Sequence, residues 1–364
     1  MKMGILGGGQ LARMLAMAGC SLGVQCYSVD PQNDSCARDI ANTLVAPDWQ
    51  SDMIARYFQD MDVITYETEN IPIHRLEALS FRDNIHPLLD AIRITQDRLL
   101  EKDFLNTLMI PTVRYRNVQS IHDIQAASEE LDFPLILKTR REGYDGKGQY
   151  RIQSSSAIEP AWKALLGRDA IVEQYTPFEY EVSLIAVRNL SGEMVFYPLI
   201  RNHHEEGILR LSEFPYDNAH LQKQAEQYAA SILETWNYVG VLTIEFFVVN
   251  NQLVVNELAP RVHNSGHLTI EGADTSQFEN HIRALFNWPL GSSKPRGYAA
   301  MINIIGDYPS DIRALLSIPG LHYHSYNKAP RAKRKLGHIT VSRSDLGSFQ
   351  QSLESAQKIV RARQ

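Results

Sequence analysis

Two different strand patterns follow one another along this chain, and together they limit the folds it can adopt. The first 90 or so residues alternate short apolar runs with helical patterns, at 1–6, 10–18, 24–29, 52–58 and 62–65. Such alternation is typical of βαβ units around a parallel sheet. Longer, adjacent apolar runs then indicate an antiparallel sheet, at 181–187, 194–199, 241–249 and 252–256. The sequence therefore predicts an α/β (α+β) protein with two kinds of sheet.

A second α/β block lies between these two regions. It begins with a charged helix predicted at 95–108, which contains Arg98 and Lys102. An apolar strand at 133–138 ends in Lys138, a glycine-rich turn follows at 142–149, and another strand is predicted at 170–174. With 364 residues, the chain has enough material for two to three domains.

Charge and cysteine content exclude several classes of protein. Lys and Arg number 36 against 42 Asp and Glu, which gives a formal charge of −6 and disfavours bulk binding to nucleic acid. Three cysteines without a repeated spacing, Cys20, Cys26 and Cys36, argue against a disulfide framework and against a zinc site. The sequence shows neither a membrane-spanning stretch nor a signal peptide, so we expect a cytoplasmic location.

The first glycine-rich turn has two interpretations. Gly7, Gly9 and Ala12 follow a predicted strand and open a helix, and Asp30 ends the next strand. This is the pattern of a dinucleotide-binding turn, in which helix N–H groups hold a phosphate. The same turn also serves to pack a helix on a strand or to hold another phosphate-bearing ligand, so the pattern alone does not decide.

Two glutamates interrupt apolar strands on either side of a short turn. Glu245 and Glu257 lie twelve positions apart, and a hairpin about Asn250 and Asn251 would place them side by side. A carboxylate in an apolar strand is costly unless it is paired or binds a cation. Two carboxylates and the amide oxygen of Asn256 suit Mg²⁺ that also binds substrate phosphates. The alternative is a pair of solvent-facing strand residues.

The second block contains two lysines at or near a glycine-rich turn. Lys138 ends its strand, and Lys147 lies in the turn that also contains Gly143, Gly146 and Gly148. Glycines leave backbone N–H groups accessible to phosphate oxygens, and the turn predicts a lid that excludes water. It is not a P-loop, because a Gly-Lys-Ser/Thr run is missing. A hairpin turn with a solvated lysine is the alternative.

These residues together resemble the ATP-grasp superfamily. The resemblance rests on Lys138, the glycine-rich lid, residues 173–176, Glu181 and the two glutamates. Within the superfamily, residues 256–267 (NELAPRVHNSGH) are similar to the N5-carboxyaminoimidazole ribonucleotide synthetases, as are 7–11, 143–146 and 337–338. The resemblance extends over nearly the whole chain.

The resemblance implies an ATP-grasp fold of three domains with ATP between the second and third. We expect a Rossmann-like preATP-grasp domain at 1–95, a lid domain at 96–176, and a C-terminal domain at 177–364 with short strands from about 298. The nucleotide contacts carry over to Arg98, Lys138, Gly143, Tyr144, Asp145, Gly146, Lys147, Gly148, Gln149, Glu173, Gln174, Tyr175, Thr176, Glu181, His204, Asn256 and Glu257. Residues 173–176 would read adenine through their backbone. For His204, a structural histidine and its neighbour His203 remain alternatives.

The resemblance also implies the reaction and its residues. Bicarbonate would attack ATP to give carboxyphosphate, which would carboxylate 5-aminoimidazole ribonucleotide in purine biosynthesis. Arg261 would hold the anion, His263 would orient it or move a proton, and Tyr144 would cover the imidazole. Gln10 and Glu69 would line the ribonucleotide site. Mg²⁺, with Mn²⁺ as an alternative, would bind Glu245 and Glu257, and a homodimer is expected.

A basic run at 328–335 contains five Lys and Arg residues. Such a run often marks a nucleic-acid patch, but here a Leu-Gly-His sequence and an alternating strand follow it, which indicates a turn within a fold. By resemblance, Lys328 and Arg334 would bind one ribose phosphate; a solvated loop is the alternative. The chain departs from the family at Ala12 and Lys333, where glycine is usual.

Three other functions remain open from the sequence. Another ATP-grasp carboxylate–amine ligase, using formate, glycine or biotin, would share the lid and the glutamate pair. A nicotinamide-dependent dehydrogenase would use the first glycine turn, but it would leave Lys138 and both glutamates without a role. A non-catalytic nucleotide-binding module would bind ATP without turnover.

Overall fold

Three sheets, each in its own stretch of sequence, organise the molecule. The computed structural model describes residues 1–143, 148–165 and 167–361. Within these residues, a parallel sheet has the order β3-β2-β1-β4, and a smaller antiparallel sheet has the order β5-β8-β6-β7. The third sheet is antiparallel, with the order β14-β13-β9-β11-β12-β15-β17-β16, and β10 pairs with β9. The predicted fold class is confirmed.

The elements of the N-terminal part surround the parallel sheet. They are β1 (Lys2–Leu6), α1 (Gln10–Ser21), β2 (Gln25–Asp30), β3 (Asn42–Val45), α2 (Ser51–Phe58), β4 (Val63–Tyr66), α3 (Ile73–Glu77) and α4 (Leu89–Thr95). The connecting part and the small sheet follow, with α5 (Arg98–Thr107), β5 (Tyr115–Val118), α6 (Ile121–Leu131), β6 (Leu135–Thr139), β7 (Gln149–Ile152), α7 (Ile158–Ala164) and β8 (Ala170–Gln174).

The large sheet and its helices form the rest of the described chain. Its first half contains β9 (Tyr180–Arg188), β10 (Met194–Phe196), β11 (Ile200–Glu205), β12 (Ile208–Phe214), α8 (Ala219–Thr235), β13 (Gly240–Val249) and β14 (Gln252–Ala259). Its second half contains α9 (Thr269–Gly272), α10 (Gln277–Leu285), β15 (Tyr298–Ile305), α11 (Ile312–Leu316), β16 (Leu321–Ser325), β17 (Lys335–Arg343) and α12 (Leu346–Arg361).

Helices cover both faces of the large sheet. Alternate residues of a strand point to opposite faces, so Leu184 and Ile185 of β9 enter two different cores. On one face, Leu184 packs in a core with Leu221 of α8, and on the other, Ile185 shares a core with Ile282 of α10 and Leu15 of α1. The N-terminal helix α1 therefore packs on the large sheet's own helix, which fixes the first domain against the third.

Two predicted elements differ from the structure. The predicted helix at 95–108 begins three residues later, at Arg98, because Asp97 caps α5 by accepting from the Leu99 backbone N–H over 3.1 Å; Thr95 is the last residue of α4. The predicted strand at 194–199 ends at Phe196, since Pro198 lacks the N–H that a strand interior needs. The predicted domain boundaries at 95 and 176 remain predictions. Within the described residues, no helix is long and apolar enough to span a membrane.

Burial lowers the pKa of four imidazoles on or near the large sheet. Desolvation is the main cause in each case, at His263, His267, His281 and His338. For His281 it lowers the pKa to about 3. Two buried carboxyls shift in the opposite sense, because burial raises the pKa of Glu101 to about 8 and that of Glu245 to about 7.

These shifts predict that the protein loses stability on acidification. Below pH ~6.5 the four imidazoles bind protons in the unfolded chain but not in the folded one. The two carboxyls oppose this, because above pH ~4.5 they are ionised in the unfolded chain, whereas in the folded chain they keep their protons up to their raised pKa values. Burial also lowers the pKa of His86 and raises that of Glu67, and these two shifts act in opposite directions. The net difference, about two protons, should therefore lower the free energy of unfolding by about 2–3 kcal/mol per pH unit between pH 6 and 5. Urea midpoints measured with EDTA at pH 7, 6 and 5 test this, and equal midpoints would contradict it.

Candidate active site

A polar cavity of about 670 Å³ lies where the three sheets meet. Its walls come from the first glycine turn, the end of β4, helix α5, strand β6, and strands β9, β11, β13 and β14. Predicted site residues that line it are Gln10, Glu69, Arg98, Lys138, Gly143, Gly148, Gln149, Glu181, His204, Glu245, Asn256, Glu257, Arg261 and His263. Residues from all three parts of the chain thus surround one cavity.

The β13–β14 hairpin brings the two predicted carboxylates together. Asn250 and Asn251 form its turn with positive φ angles of 50° and 56°, which matches the two-residue turns preferred by twisted hairpins. Glu245 and Glu257 are direct cross-strand partners, as predicted. A regular hairpin about this turn would instead pair Glu245 with Asn256. A bulge next to Glu245 shifts the register by one residue, and Asn256 and Glu257 both line the cavity.

The carboxylates of Glu245 and Glu257 repel each other in a part of the cavity with little solvent. Burial, and then the charge of Glu257, raise the pKa of Glu245 to about 7. A divalent cation between them would offset both effects, and carboxylate oxygens suit Mg²⁺. Among the described residues, no cluster of three or more His, Cys, Asp or Glu could hold a metal by itself. The residues therefore fit a Mg²⁺ ion that completes its coordination with substrate phosphates and water.

Arg261 and His263 follow the hairpin and turn towards the same cavity. Arg261 Nε and Nη2 donate to the two carboxylate oxygens of Glu69 over 2.7 and 2.6 Å, and Nη1 donates to the Val262 carbonyl. Two of its five N–H groups are not used in these bonds and remain for an anion. His263 Nε2 lies 3.2 Å from Glu245 Oε1, so the imidazole borders the two carboxylates.

Glu173 pairs with two lysines, the buried Lys102 beneath the cavity and Lys138 in the cavity wall. Its carboxylate lies 2.6 Å from Lys138 Nζ and 3.1 Å from Lys102 Nζ. Burial would raise the pKa of Glu173, but the two lysines outweigh it and lower that pKa to about 2. The side chain of Glu173 therefore holds Lys138 in position, whereas the sequence indicated a role for its backbone.

Replacing Glu173 by Gln should strongly destabilise the protein. The substitution leaves Lys102, whose side chain is 1% exposed, without its counter-charge. Breaking a buried ion pair on one side typically costs about 3–5 kcal/mol, so we expect a loss of this size in urea unfolding. The matched change Glu159→Gln, at an exposed pair with Lys163, should leave the midpoint unchanged. Equal midpoints for both variants would show that the lysines are not dependent on Glu173.

Arg98 connects the carboxylates to the glycine-rich turn. Its guanidinium lies 3.5 Å from Glu257 Oε2 and donates to the Gly143 carbonyl over 3.1 Å. On the opposite wall, His204 Nδ1 lies 2.6 Å from Glu181 Oε2, and this hydrogen bond raises the pKa of His204 despite its burial. His203 instead pairs with Glu213, at 2.8 Å, and is not among the described residues that line the cavity.

The first glycine turn holds carboxylates of the protein itself. The Gly8 N–H donates to Asp30 Oδ2 over 2.8 Å, and the Gly9 N–H donates to Glu67 Oε1 over 2.9 Å. A Cβ at Gly7, where φ is +106°, would lie 2.5 Å from Glu67 Cγ, and one at Gly9 would lie 2.7 Å from its Oε1. These glycines make room for Glu67, and the carboxylate takes the place that a pyrophosphate has in dinucleotide-binding proteins.

Three family models match consecutive parts of the chain. A ribonucleotide synthetase preATP-grasp domain matches residues 1–96, an ATP-grasp domain matches 103–278, and a phosphoribosylaminoimidazole carboxylase C-terminal domain matches 299–352. N5-carboxyaminoimidazole ribonucleotide synthase of Pseudomonas aeruginosa is 41% identical over 362 residues, and the alignment covers 100% of both chains. The chain belongs to the N5-carboxyaminoimidazole ribonucleotide synthase family.

Solved structures of this family agree with the fold. The crystal structure of N5-carboxyaminoimidazole ribonucleotide synthetase from Thermus thermophilus has a TM-score of 0.94 and 44% identity, and the match covers 98% of each chain. The enzyme of Aspergillus clavatus, in complex with ADP and 5-aminoimidazole ribonucleotide, has a TM-score of 0.91 and 29% identity. That match covers 99% of this chain and 98% of the other.

Some residues predicted from the family resemblance lie elsewhere. Within the described residues, Gln174, Tyr175, Thr176, Lys328 and Arg334 do not line the cavity. The N–H groups of Gln174 and Tyr175 donate to the carbonyls of Arg114 and Pro134, so adenine would have to use other backbone groups of this segment. Lys328 Nζ donates to Gln10 Oε1 at the cavity wall, and Arg334 lies 3.5 Å from Asp34. Tyr144, Asp145, Gly146 and Lys147 fall outside the described residues.

Sequence reasoning missed several charged residues of this family member's cavity. Glu101, Arg140 and Lys335 line it, and Lys102 lies beneath it. Glu101 accepts from the Leu258 N–H over 2.7 Å, directly after Glu257, and so holds the bulged strand. A charged helix predicts a solvent-exposed face, and no local pattern distinguishes Glu101 and Lys102 from residues of such a face. Lys335 is the last residue of the basic run, and no local pattern sets it apart from the other basic residues there.

Proposed function

We propose that this protein carboxylates 5-aminoimidazole ribonucleotide with bicarbonate and ATP, releasing ADP and phosphate, in purine biosynthesis. It is a ligase that forms a carbon–nitrogen bond. The observation that carries the proposal is the arrangement of one cavity. Its lining includes the carboxylate pair Glu245 and Glu257, the cations Arg98 and Lys138, and the Arg261–Glu69 pair. ATP and a second substrate can therefore meet at the carboxylates.

ATP fits the part of the cavity between the small and large sheets. Arg98 and Lys138 would bind its phosphates, with N–H groups of the glycine-rich turn from Gly143 to Gln149. Glu181, oriented by His204, would accept hydrogen bonds from the ribose hydroxyls. Mg²⁺ bound to Glu245 and Glu257, with Asn256 as a neutral ligand, would neutralise charge on the phosphates.

Arg261 and His263 would hold the reacting anion. In the first step, a bicarbonate oxygen attacks the γ-phosphorus of ATP, and ADP leaves, which gives carboxyphosphate. In the second, the exocyclic amine attacks the carboxyl carbon, phosphate leaves and the amine loses a proton. The two remaining N–H groups of Arg261 would hold the bicarbonate and then the carboxyphosphate oxygens. Water must be excluded, because carboxyphosphate hydrolyses.

The ribonucleotide fits the side of the cavity that the first domain forms. Gln10 and Glu69 line this side, and Lys328 reaches it through its hydrogen bond to Gln10. The ribose phosphate would bind Lys328 and Arg334, which come from the loop between β16 and β17. Tyr144 on the lid would cover the imidazole. A homodimer in the cytoplasm is part of the proposal, and gel filtration tests the oligomeric state.

A substrate-dependence assay tests the function. ADP release is measured with ATP and Mg²⁺ and with bicarbonate, 5-aminoimidazole ribonucleotide, both or neither. We expect full turnover when both are present and at most slow ATP hydrolysis with one of them. Turnover that needs formate or an amino acid and ignores the ribonucleotide would contradict the proposal. So would tight binding of NADH without binding of Mg-ATP, which a dehydrogenase would show.

A further inference from the structure

His263 is held by its backbone at a fixed place in the cavity wall. Its N–H donates to Gln277 Oε1 over 2.9 Å, and its carbonyl accepts from Gln277 Nε2 over 2.6 Å. Gln277 is fully buried at the start of α10, where its own N–H donates to Thr269 Oγ1. The oxygen and the nitrogen of one side-chain amide therefore both bond the backbone of His263 and fix its position. The orientation and the protonation of the ring depend on other groups.

The two ring nitrogens of His263 face different groups. Nδ1 lies 3.3 Å from the Ser265 backbone nitrogen and 3.0 Å from Ser265 Oγ, whereas Nε2 lies 3.2 Å from Glu245 Oε1. A backbone N–H can only donate, so this contact of 3.3 Å favours a lone pair on Nδ1, and the Ser265 hydroxyl, at the shorter distance of 3.0 Å, can donate to the same lone pair. The proton of the neutral imidazole then lies on Nε2, which faces the cavity.

A chain of buried hydrogen bonds supports this arrangement behind Ser265. Ser265 Oγ lies 2.8 Å from Ser183 Oγ, Asn202 Nδ2 donates to Ser183 Oγ over 2.9 Å, and Ser212 Oγ donates to Asn202 Oδ1 over 2.8 Å. Because Ser183 accepts from the amide, its hydroxyl proton is available to Ser265, and that of Ser265 to His263 Nδ1. With the hydroxyl protons placed in this way, each donor in the chain points towards the imidazole.

We infer that Ser265, with Ser183 and Asn202 behind it, is a positioning residue that holds His263 in its Nε2-protonated form. His263 then presents an N–H to an oxygen of bicarbonate or carboxyphosphate, and it has no lone pair towards the substrate amine. The inference rests on the proposed function and decides between the two roles expected from the sequence. Glu245, Arg261, His204, His267 and Lys335 also surround the ring electrostatically.

The tautomer is measured directly by ¹⁵N NMR of the full chain labelled at histidine, without substrate and with EDTA. His263→Gln assigns the resonance pair by its disappearance. We expect an unprotonated Nδ1 and a protonated Nε2 in the parent protein, and added signal from the other tautomer in Ser265→Ala. The control Ser28→Ala removes a buried serine of the first domain that bonds Thr43, and it should leave the spectrum of His263 unchanged. A proton on Nδ1 in the parent protein, or an unchanged tautomer in Ser265→Ala, would overturn the inference.

Kinetics of two substitutions at His263 test the donor role. A glutamine amide can place an N–H near the position of Nε2, whereas an asparagine amide reaches only to that of Nδ1. We expect His263→Gln to retain at least about tenfold more kcat than His263→Asn. Ser265→Ala should lower kcat about tenfold with the KM for ATP unchanged. Equal losses in the Gln and Asn variants, together with a kcat that falls below a pKa in the neutral range, would show a base and overturn the inference.

The two hypotheses fail in different ways. Absence of ribonucleotide-dependent turnover in the parent protein would remove the proposed function, while the NMR spectrum would still report the tautomer. A proton on Nδ1 would overturn the positioning role, while carboxylation could still proceed.

Discussion

Replacing Glu257 by Gln should abolish ATP turnover while the protein stays folded. The substitution keeps the shape of the side chain but removes one of the two charges that would hold Mg²⁺. Loss of such a ligand removes several kcal/mol of stabilisation of the charged transition state, so we expect kcat to fall about a thousandfold. The side chain is 43% exposed and makes a single ion pair in the described structure, to Arg98, so folding should be little affected.

A matched glutamate outside the cavity provides the control. Glu213 is exposed to a similar degree, 36%, and pairs with His203 on the large sheet. Glu213→Gln should keep both kcat and the urea midpoint. If Glu257→Gln retained the turnover of the parent protein, the carboxylate pair would not be the metal site, and a non-catalytic role for the hairpin would have to be considered.

Arg261→Lys should have the second-largest effect. The guanidinium holds Glu69 with one edge and keeps two N–H groups for the anion, and an ammonium cannot do both in a fixed geometry. We expect kcat to fall about a hundredfold, which corresponds to ~2.7 kcal/mol of transition-state stabilisation. Binding of ADP, measured by calorimetry, should be unchanged, because Arg261 lies on the ribonucleotide side of the carboxylates.

Another arginine–glutamate pair separates this effect from a general loss of an ion pair. Arg283 binds Glu279 one helical turn away on α10, outside the cavity. Arg283→Lys should leave kcat as it is in the parent protein. Full turnover in Arg261→Lys would mean that a point charge suffices and that the planar fork has no role in holding the anion.

Local patterns were enough to predict two of the three sheets and the proximity of the two carboxylates. Alternation of apolar runs with helical patterns predicts the parallel sheet, and adjacent strands after residue 181 predict the large antiparallel one. The side-by-side position of Glu245 and Glu257 is predicted because both residues lie near one short turn, and a hairpin is a local structure.

The features that were missed depend on contacts between distant parts of the chain. The bulge at Asn256 leaves no mark in the sequence, since a regular register is equally compatible with the same residues. Glu101 and Lys102 look like the exposed face of a helix until the large sheet and Glu173 cover them. Glu67 lies 58 positions from Gly9, so its bond to the glycine turn could not be inferred from local spacing.

Glu67 also blocks the binding of a phosphate at the glycine turn of the first domain. Its carboxylate serves as a built-in anion at the start of α1, and a nucleotide phosphate would have to compete with a ligand that is covalently part of the chain. The domain thus retains the backbone of a coenzyme-binding fold with its phosphate pocket closed from within. In other sequences with the same glycine spacing, an acidic residue directly after the fourth strand would indicate that the glycine turn does not bind a phosphate.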